Sequence, residues 1–268
     1  MGAARSLDIG GGHYRGDMTT LPSFRLDGQV ALITGANRGI GAGLAVALGE
    51  AGATVVLASR GAEDLAVLAA SIPGSTTVTI DLTDVASIRS AVAQVEASHG
   101  RIDVLVNNAG LGANHPALEV TEADWDSMMN VNLRGLFFCS QAVAGGMVER
   151  GHGRIIHMSS QASVVGIADH AVYCASKGGV NQLTRVMALE WSRFGVTTNA
   201  VGPTFTYTPG TAERLDDPTY RDAVLDRIPA HRLAEISDVA GAVVYLASDA
   251  ARMVTGTLLL VDGGWTAQ

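Results

Sequence analysis

The stretch QVALITGANRGIGAGLAVALGEA, residues 29–51, decides the fold. Its opening, Gln29–Thr34, is an apolar run of the length and composition of a strand covered on both faces. Three glycines follow within the turn Thr34-Gly35-Ala36-Asn37-Arg38-Gly39-Ile40-Gly41, and the alanine- and leucine-rich stretch Gly41–Ala51 then reads as helix. A strand, a glycine turn and a helix in direct succession let the backbone pass close to a ligand. They also aim the unpaired N–H groups of the helix start at it. A pyrophosphate is the ligand that such a place suits.

The same alternation continues outward from this unit. Strand-like runs recur at Thr54–Ala58, Thr76–Ile80, Asp103–Asn107, Arg154–Met158, Val196–Val201 and Thr257–Val261. Between them, Val85–Ser98, Asp124–Val148, Ala175–Arg193 and Ser237–Ala247 have helical spacing. Repeated β–α alternation with right-handed crossovers predicts an α/β fold, a single doubly wound Rossmann domain with a seven-stranded parallel sheet over residues 24–268. Residues 1–23 contain Gly10-Gly11-Gly12 and no apolar segment, and they read as a disordered tail. Residues 203–232 hold four of the seven prolines and many charges, which predicts a substrate lid at a strand end.

Composition narrows the function classes. The 268 residues carry 18 Lys and Arg against 26 Asp and Glu, a net charge of −8, without a basic run. That charge argues against a nucleic-acid partner. No apolar stretch is long enough for a membrane span. Cys139 and Cys174 make neither a disulfide framework nor a metal cluster, so a cytoplasmic protein without a metal site is expected.

Tyr173 and Lys177 stand four residues apart, about one helical turn, and so share a face. A tyrosine needs help to work as acid or base near neutrality, because its ordinary pKa is about 10, and a neighbouring ammonium supplies such help. Ser159-Ser160 end a strand on the side where a ligand sits. Asn132 lies inside a helical stretch, an unfavourable place for asparagine. His157 falls within a strand and reads as a packed core residue, whereas His115 and His170 fall in segments that border the cleft.

Together these residues resemble the short-chain dehydrogenase/reductase family, and the resemblance spans residues 24–268. It implies that Gly35, Asn37, Arg38, Gly39, Ile40 and Gly41 hold the pyrophosphate end of a nicotinamide cofactor. Asp81 and Leu82 match the adenine contact, and Asn108, Ala109 and Gly110 fall in the family's NNAG signature. Asn132, Ser160, Tyr173 and Lys177 match the catalytic tetrad in order and spacing. Tyr173 is then the acid or base, Ser160 orients the substrate oxygen, Lys177 lowers the tyrosine pKa and holds the ribose, and Asn132 holds a water on the proton path.

Cofactor choice follows from the end of the second strand. Ser59 stands where NAD-preferring members carry Asp, and Arg60 and Arg38 add two cations suited to a 2′-phosphate. NADP(H) is therefore favoured over NAD(H). Pro203 and Thr208 match later cofactor contacts, although Thr204 replaces the glycine of the family's N-A-x-x-P-G. Val261-Asp262-Gly263-Gly264-Trp265 matches an ending that sits at subunit contacts, which implies a homotetramer or homodimer.

For the substrate, two classes compete. Reductases of 3-oxoacyl groups on an acyl carrier protein place arginines where this chain has Gly151 and Phe194, with Arg150 and Arg193 one residue away. The NAVGPTF, RIPA and VDGGWTA stretches resemble instead the polyol, sugar and sugar-acid dehydrogenases, of the gluconate 5-dehydrogenase and glucose 1-dehydrogenase kind. In the lid, Thr206, Tyr207, Arg214 and Asp216 suit a hydroxylated or anionic small molecule. A regulator that senses NADP(H) without turnover is the non-enzymatic alternative. Such proteins lose the tyrosine or the lysine, and both are present here.

Overall fold

β1 (Val30–Thr34) is buried along its whole length and alternates its side chains between two cores. In the computed structural model, which describes residues 21–267, Ala31 and Ile33 pack on one face of the sheet and Val30 and Leu32 on the other. The remaining strands are β2 (Thr54–Ser59), β3 (Thr76–Thr79), β4 (Val104–Asn107), β5 (Gly153–Met158), β6 (Val196–Pro203) and β7 (Leu258–Val261). All pairs are parallel, in the order β3-β2-β1-β4-β5-β6-β7. The seven predicted strands are thus present, with ends shifted by a residue or two.

The helices are α1 (Gly39–Glu50), α2 (Ala62–Ala69), α3 (Val85–His99), α4 (Glu122–Met129), α5 (Leu136–Arg150), α6 (Ala171–Trp191), α7 (Ala212–Leu215), α8 (Pro218–Leu225) and α9 (Ile236–Ala247). Leu44 and Leu48 of α1 join Val239, Val243 and Leu246 of α9 on the first face. Ile88, Val92 and Val95 of α3 join Val143 and Met147 of α5 on the second. Each such side chain, fully buried, contributes on the order of 1.5–3 kcal/mol. Strand order reverses between β2 and β4 around β1, and that opens a crevice at the carboxyl ends of the strands.

Three expectations need correction. The predicted helix 124–148 is two helices, α4 and α5, joined by a π-helical turn at Asn130–Gly135. Within that turn Asn132 faces the loop after β4, where it binds Leu111. The helix carrying Tyr173 begins at Ala171, so that residue lies in the first turn. Finally, Trp265, in the ending matched to a subunit contact, is buried within its own chain. Trp265 is 4% exposed and packs with Val224 and Ile228 in a small core of its own chain, bordered by Phe205 and Tyr220.

That small core anchors the segment predicted as a lid, which contains α7 and α8. Asp217 caps α8 by accepting from Thr219 N (2.9 Å), and Pro218 takes the first helical position. The predicted tail lies outside the described residues except for 21–23, which are exposed and without regular structure.

Gly41 supplies a test of how tightly the first turn is closed. A Cβ there would run into Gly35 O and the Asn108 side-chain amide. On helix propensity alone, Gly41→Ala would stabilise by about 1 kcal/mol. Overpacking of about 1–3 kcal/mol outweighs this and should lower Tm by a few degrees in a thermal melt. A raised Tm would contradict the close approach.

Candidate active site

The β1–α1 turn is shaped by contacts with the end of β4. Gly35 has φ +65°, and a Cβ on it would meet Ala109 Cα at 2.8 Å. Thr34 Oγ1 accepts from Asn108 N (3.1 Å) and Ala109 N (3.2 Å), and Asn108 Nδ2 donates to Thr34 O and Gly35 O. Asn108 therefore holds the two strand ends together, and Gly110 beside it lines the cavity below. α1 begins at Arg38 with no side-chain cap and no acidic residue in its first turn, unlike α3, α4 and α8, which Asp84, Thr121 and Asp217 cap. These uncapped N–H groups beside a close-packed glycine turn fit a pyrophosphate.

The surroundings fit the rest of a dinucleotide. Arg38 and Arg60 are both exposed, and neither forms an ion pair among the described residues. Ser59 turns its hydroxyl to Gly61 O (3.1 Å), so no carboxylate stands at the end of β2. Asp81 Oδ1 accepts from Thr83 N and Thr83 Oγ1, which keeps its carboxyl below the usual range with a smaller contribution from Arg60. Leu82 beside it is buried. Asn37 is half-buried in the turn. Thr208 faces Gly39, at 3.6 Å from the Cβ that residue lacks. Thr204 keeps an ordinary backbone, and its N–H donates to Val261 O (3.1 Å), so its replacement of glycine leaves the strand end intact.

A cavity of about 300 Å³ lies between this turn and the segment 203–214. It brings together Ile40, Asn108, Ser160, Tyr173, Lys177, Pro203, Thr208 and Arg214 from six separate parts of the chain. Lys177 Nζ donates to Met158 O (2.7 Å) and sits 5.7 Å from the Tyr173 ring centroid. Asn132 binds Leu111 in both directions, accepting from Leu111 N (2.7 Å) and donating to Leu111 O (2.9 Å), with Ser176 Oγ at 3.1 Å. Its amide is thus spent on the loop after β4.

The two serines separate cleanly. Ser159 Oγ donates to Asn181 Oδ1 (2.8 Å) on α6, a packing contact. Ser160 Oγ donates to Gln161 Oε1 (2.8 Å), accepts from Ala162 N (3.1 Å) and is a hydrogen-bond partner of Tyr173. Gln161, which sequence reasoning missed, is marked only by its place next to Ser160. His157 is wholly buried between Ser140 Oγ (3.2 Å) and Thr184 Oγ1 (3.0 Å), as expected of a core histidine. His170 lines the cavity, whereas His115 does not and lies 3.7 Å from Asp124.

A family model described as Enoyl-(Acyl carrier protein) reductase matches residues 35–266. The chain belongs to the short-chain dehydrogenase/reductase family. Within it, the chain is 43% identical to D-threitol dehydrogenase of Mycolicibacterium smegmatis, over 91% of this chain and 95% of that one. L-xylulose reductase of Bos taurus is 43% identical as well, over 91% and 98%. Among solved structures, a gluconate 5-dehydrogenase from Burkholderia cenocepacia in complex with NADP and tartrate superposes with a TM-score of 0.90 at 40% identity, covering 92% of this chain and 99% of that one.

The electrostatics of this dehydrogenase cavity are set by burial. Burial pushes the Tyr173 phenol above its ordinary pKa, against the opposing pull of Ser160 and, more weakly, Arg214. Sequence reasoning expects Lys177 to be the group that lowers the phenol. Here the ammonium is turned to a backbone carbonyl, and its own pKa falls to about 8 because it is buried.

The lysine gives a signed test. Its folded pKa lies below the unfolded value of 10.5, so between about pH 8 and 10.5 the unfolded chain holds the extra proton. Charged Lys177 therefore costs stability at pH 7, on the order of 3 kcal/mol, and the cost fades as pH rises through that window. The Tm of Lys177→Met minus that of the wild type should become less positive, or more negative, from pH 7 to pH 10. A pH-independent difference in melts would show that the lysine is not strained.

Proposed function

We propose that the protein is an NADP(H)-preferring oxidoreductase that interconverts a secondary alcohol and a ketone on a polyol, sugar or sugar acid, by tyrosine acid–base catalysis. The observation that carries this reading is the convergence of Tyr173, Ser160 and Lys177 on one cavity beside the β1–α1 turn. Relatives named for threitol, xylulose and gluconate support the carbohydrate class, and the gluconate 5-dehydrogenase bound to NADP supports the cofactor.

A nicotinamide cofactor held by the β1–α1 turn, with Arg38 and Arg60 toward a 2′-phosphate, would supply the two-electron hydride chemistry. Tyr173 takes the hydroxyl proton in oxidation and gives it back in reduction. Its raised pKa keeps it a phenol at neutral pH, the proton donor that reduction requires. Ser160 turns its single O–H from Gln161 Oε1 to the substrate oxygen as charge develops there. Lys177, which lines the same cavity, would donate to a ribose hydroxyl of the bound cofactor. Asn132 keeps the loop after β4 at the right height by its paired bonds to Leu111. The segment 203–232 closes over the cavity as the lid.

The acyl-carrier-protein alternative is weakened by the two arginines. Arg150 donates to Ile102 O (2.6 Å), and Arg193 lies over the Phe194 ring at 4.6 Å, so both are engaged within the fold. For assembly, the reading is a homotetramer or homodimer. Exposed Val186 and Leu189 on α6, Met253, and the half-buried edge strand β7 support it. Two free cysteines support a cytoplasmic setting, and among the described residues no helix is long and apolar enough to cross a membrane.

Tyr173→Phe should lower turnover about 10²–10⁴-fold in a 340 nm assay with polyols and aldonates, while NADP+ still binds. Wild-type oxidation should speed up as pH rises. Retained turnover in the variant would refute the role of the phenol. A separate test addresses the cofactor. Arg60→Asp should shift the NADP+ to NAD+ ratio of kcat/KM toward NAD+ by about 10- to 100-fold, because a carboxylate repels the 2′-phosphate and accepts from the ribose hydroxyls. An unchanged ratio would free Arg60 from that assignment.

A further inference from the structure

The cavity is positive in an acidic protein. Over the whole chain the net charge is −8, yet among the described residues no aspartate or glutamate lines the cavity, and Lys177 and Arg214 do. Lys177 is spoken for by Met158 O. The Arg214 guanidinium makes no hydrogen bond and no ion pair among the described residues.

That freedom is built in, because the neighbouring carboxylates are occupied or turned away. Asp216 Oδ1 accepts from Tyr207 Oη (2.9 Å), and Asp217 Oδ1 caps α8. Glu213 and Asp217 line a separate outer cavity of about 560 Å³, and neither reaches the inner one. Arg214 borders both cavities, as does Asn114, so the two mark the mouth between them. Leu215, 1% exposed, fixes α7 and with it the position of the arginine. The charge is felt inward, since Arg214 is one of the groups that lower the Tyr173 phenol.

We propose that Arg214 is the specificity-determining residue for an anionic, polyhydroxylated substrate: a sugar acid whose carboxylate pairs with the guanidinium at the mouth while an alcohol or ketone carbon reaches Tyr173 and Ser160. This deepens the function proposed above and rests on it. The carboxylate takes no part in the redox step. It anchors one end of the substrate through a planar, bidentate pair, to which the Asn114 amide can add a donor. A neutral polyol leaves the guanidinium unpaired in a half-buried place and forgoes this anchor.

The test compares gluconate with its neutral counterpart glucitol, using NADP+ and the full chain. Wild type should favour gluconate in kcat/KM. Arg214→Gln should lower the gluconate-to-glucitol ratio by about 10- to 100-fold, mainly through KM, the range for a hydrogen bond to a charged group. Arg214→Lys, which keeps the charge and loses the fork, should fall between. Calorimetric titration of the NADP+ complex with gluconate reads the same pair without turnover, and the affinity should fall in Arg214→Gln while NADP+ affinity stays within about threefold.

Equal losses for both substrates, a wild-type preference for glucitol, or weakened NADP+ binding with gluconate binding intact would each overturn the proposal. If no carbohydrate is turned over by the wild type, the oxidoreductase reading fails on its own. Calorimetry then decides for the arginine: gluconate binding that depends on Arg214 supports the anion site, and absent or Arg214-independent binding removes it.

Discussion

The seam between β1 and β4 is the constraint on which the rest of the molecule depends. At the amino ends of the two strands, the buried Asp103 carboxylate accepts from Val30 N (2.9 Å) and from Arg101 Nε (2.7 Å). At the carboxyl ends, Asn108 and Ala109 donate four hydrogen bonds to Thr34 and Gly35, and Gly35 and Gly41 leave room for them. Because the strand order reverses here, the chains leaving β1 and β4 part in opposite directions. Backbone groups in that gap would otherwise be buried without partners. Pinning the seam fixes the start of α1 and the loop that Asn132 holds, and so the floor of the cavity.

Much of this was legible in the sequence because the signals are local. A strand covered on both faces is mostly apolar, and five of the seven predicted runs are so. β3, three of whose four residues are exposed, was found from its threonines and valine. The glycine turn was legible for the same reason, since a left-handed φ at Gly35 and the absent Cβ at Gly41 are properties of single residues. Tyr173 and Lys177 needed only helical spacing to be placed on one face.

What was not legible depends on contacts far apart in the chain. The π-helical turn at Asn130–Gly135 has no composition of its own, and its reason is the pair of bonds from Asn132 to Leu111, 21 residues away. The separation of Ser159 from Ser160 rests on Asn181, one turn beyond Lys177 on α6. In the lid, prolines and charges hid two short helices, although Asp217-Pro218 is a helix start in retrospect. Trp265 read as a contact for another subunit because its partners, Val224 and Ile228, lie in that same lid.

Burial then explains why the cavity is both costly to fold and able to act. Taking Lys177 out of water depresses its pKa, and taking Tyr173 out of water raises that of the phenol. Both shifts oppose the charge-separated pair of ammonium and phenolate, so the resting protein keeps the phenol protonated. A core tolerates such groups only when its other parts are well satisfied, and here His157, Ser140 and Thr184 form a bonded polar layer beneath them. His157 is itself pressed down to about 3, first by burial and then by Lys177, so no second positive charge competes with the lysine at neutral pH. With that layer neutral, the positive field of the cavity comes from two side chains alone. One is fixed in the floor, and the other is carried by α7.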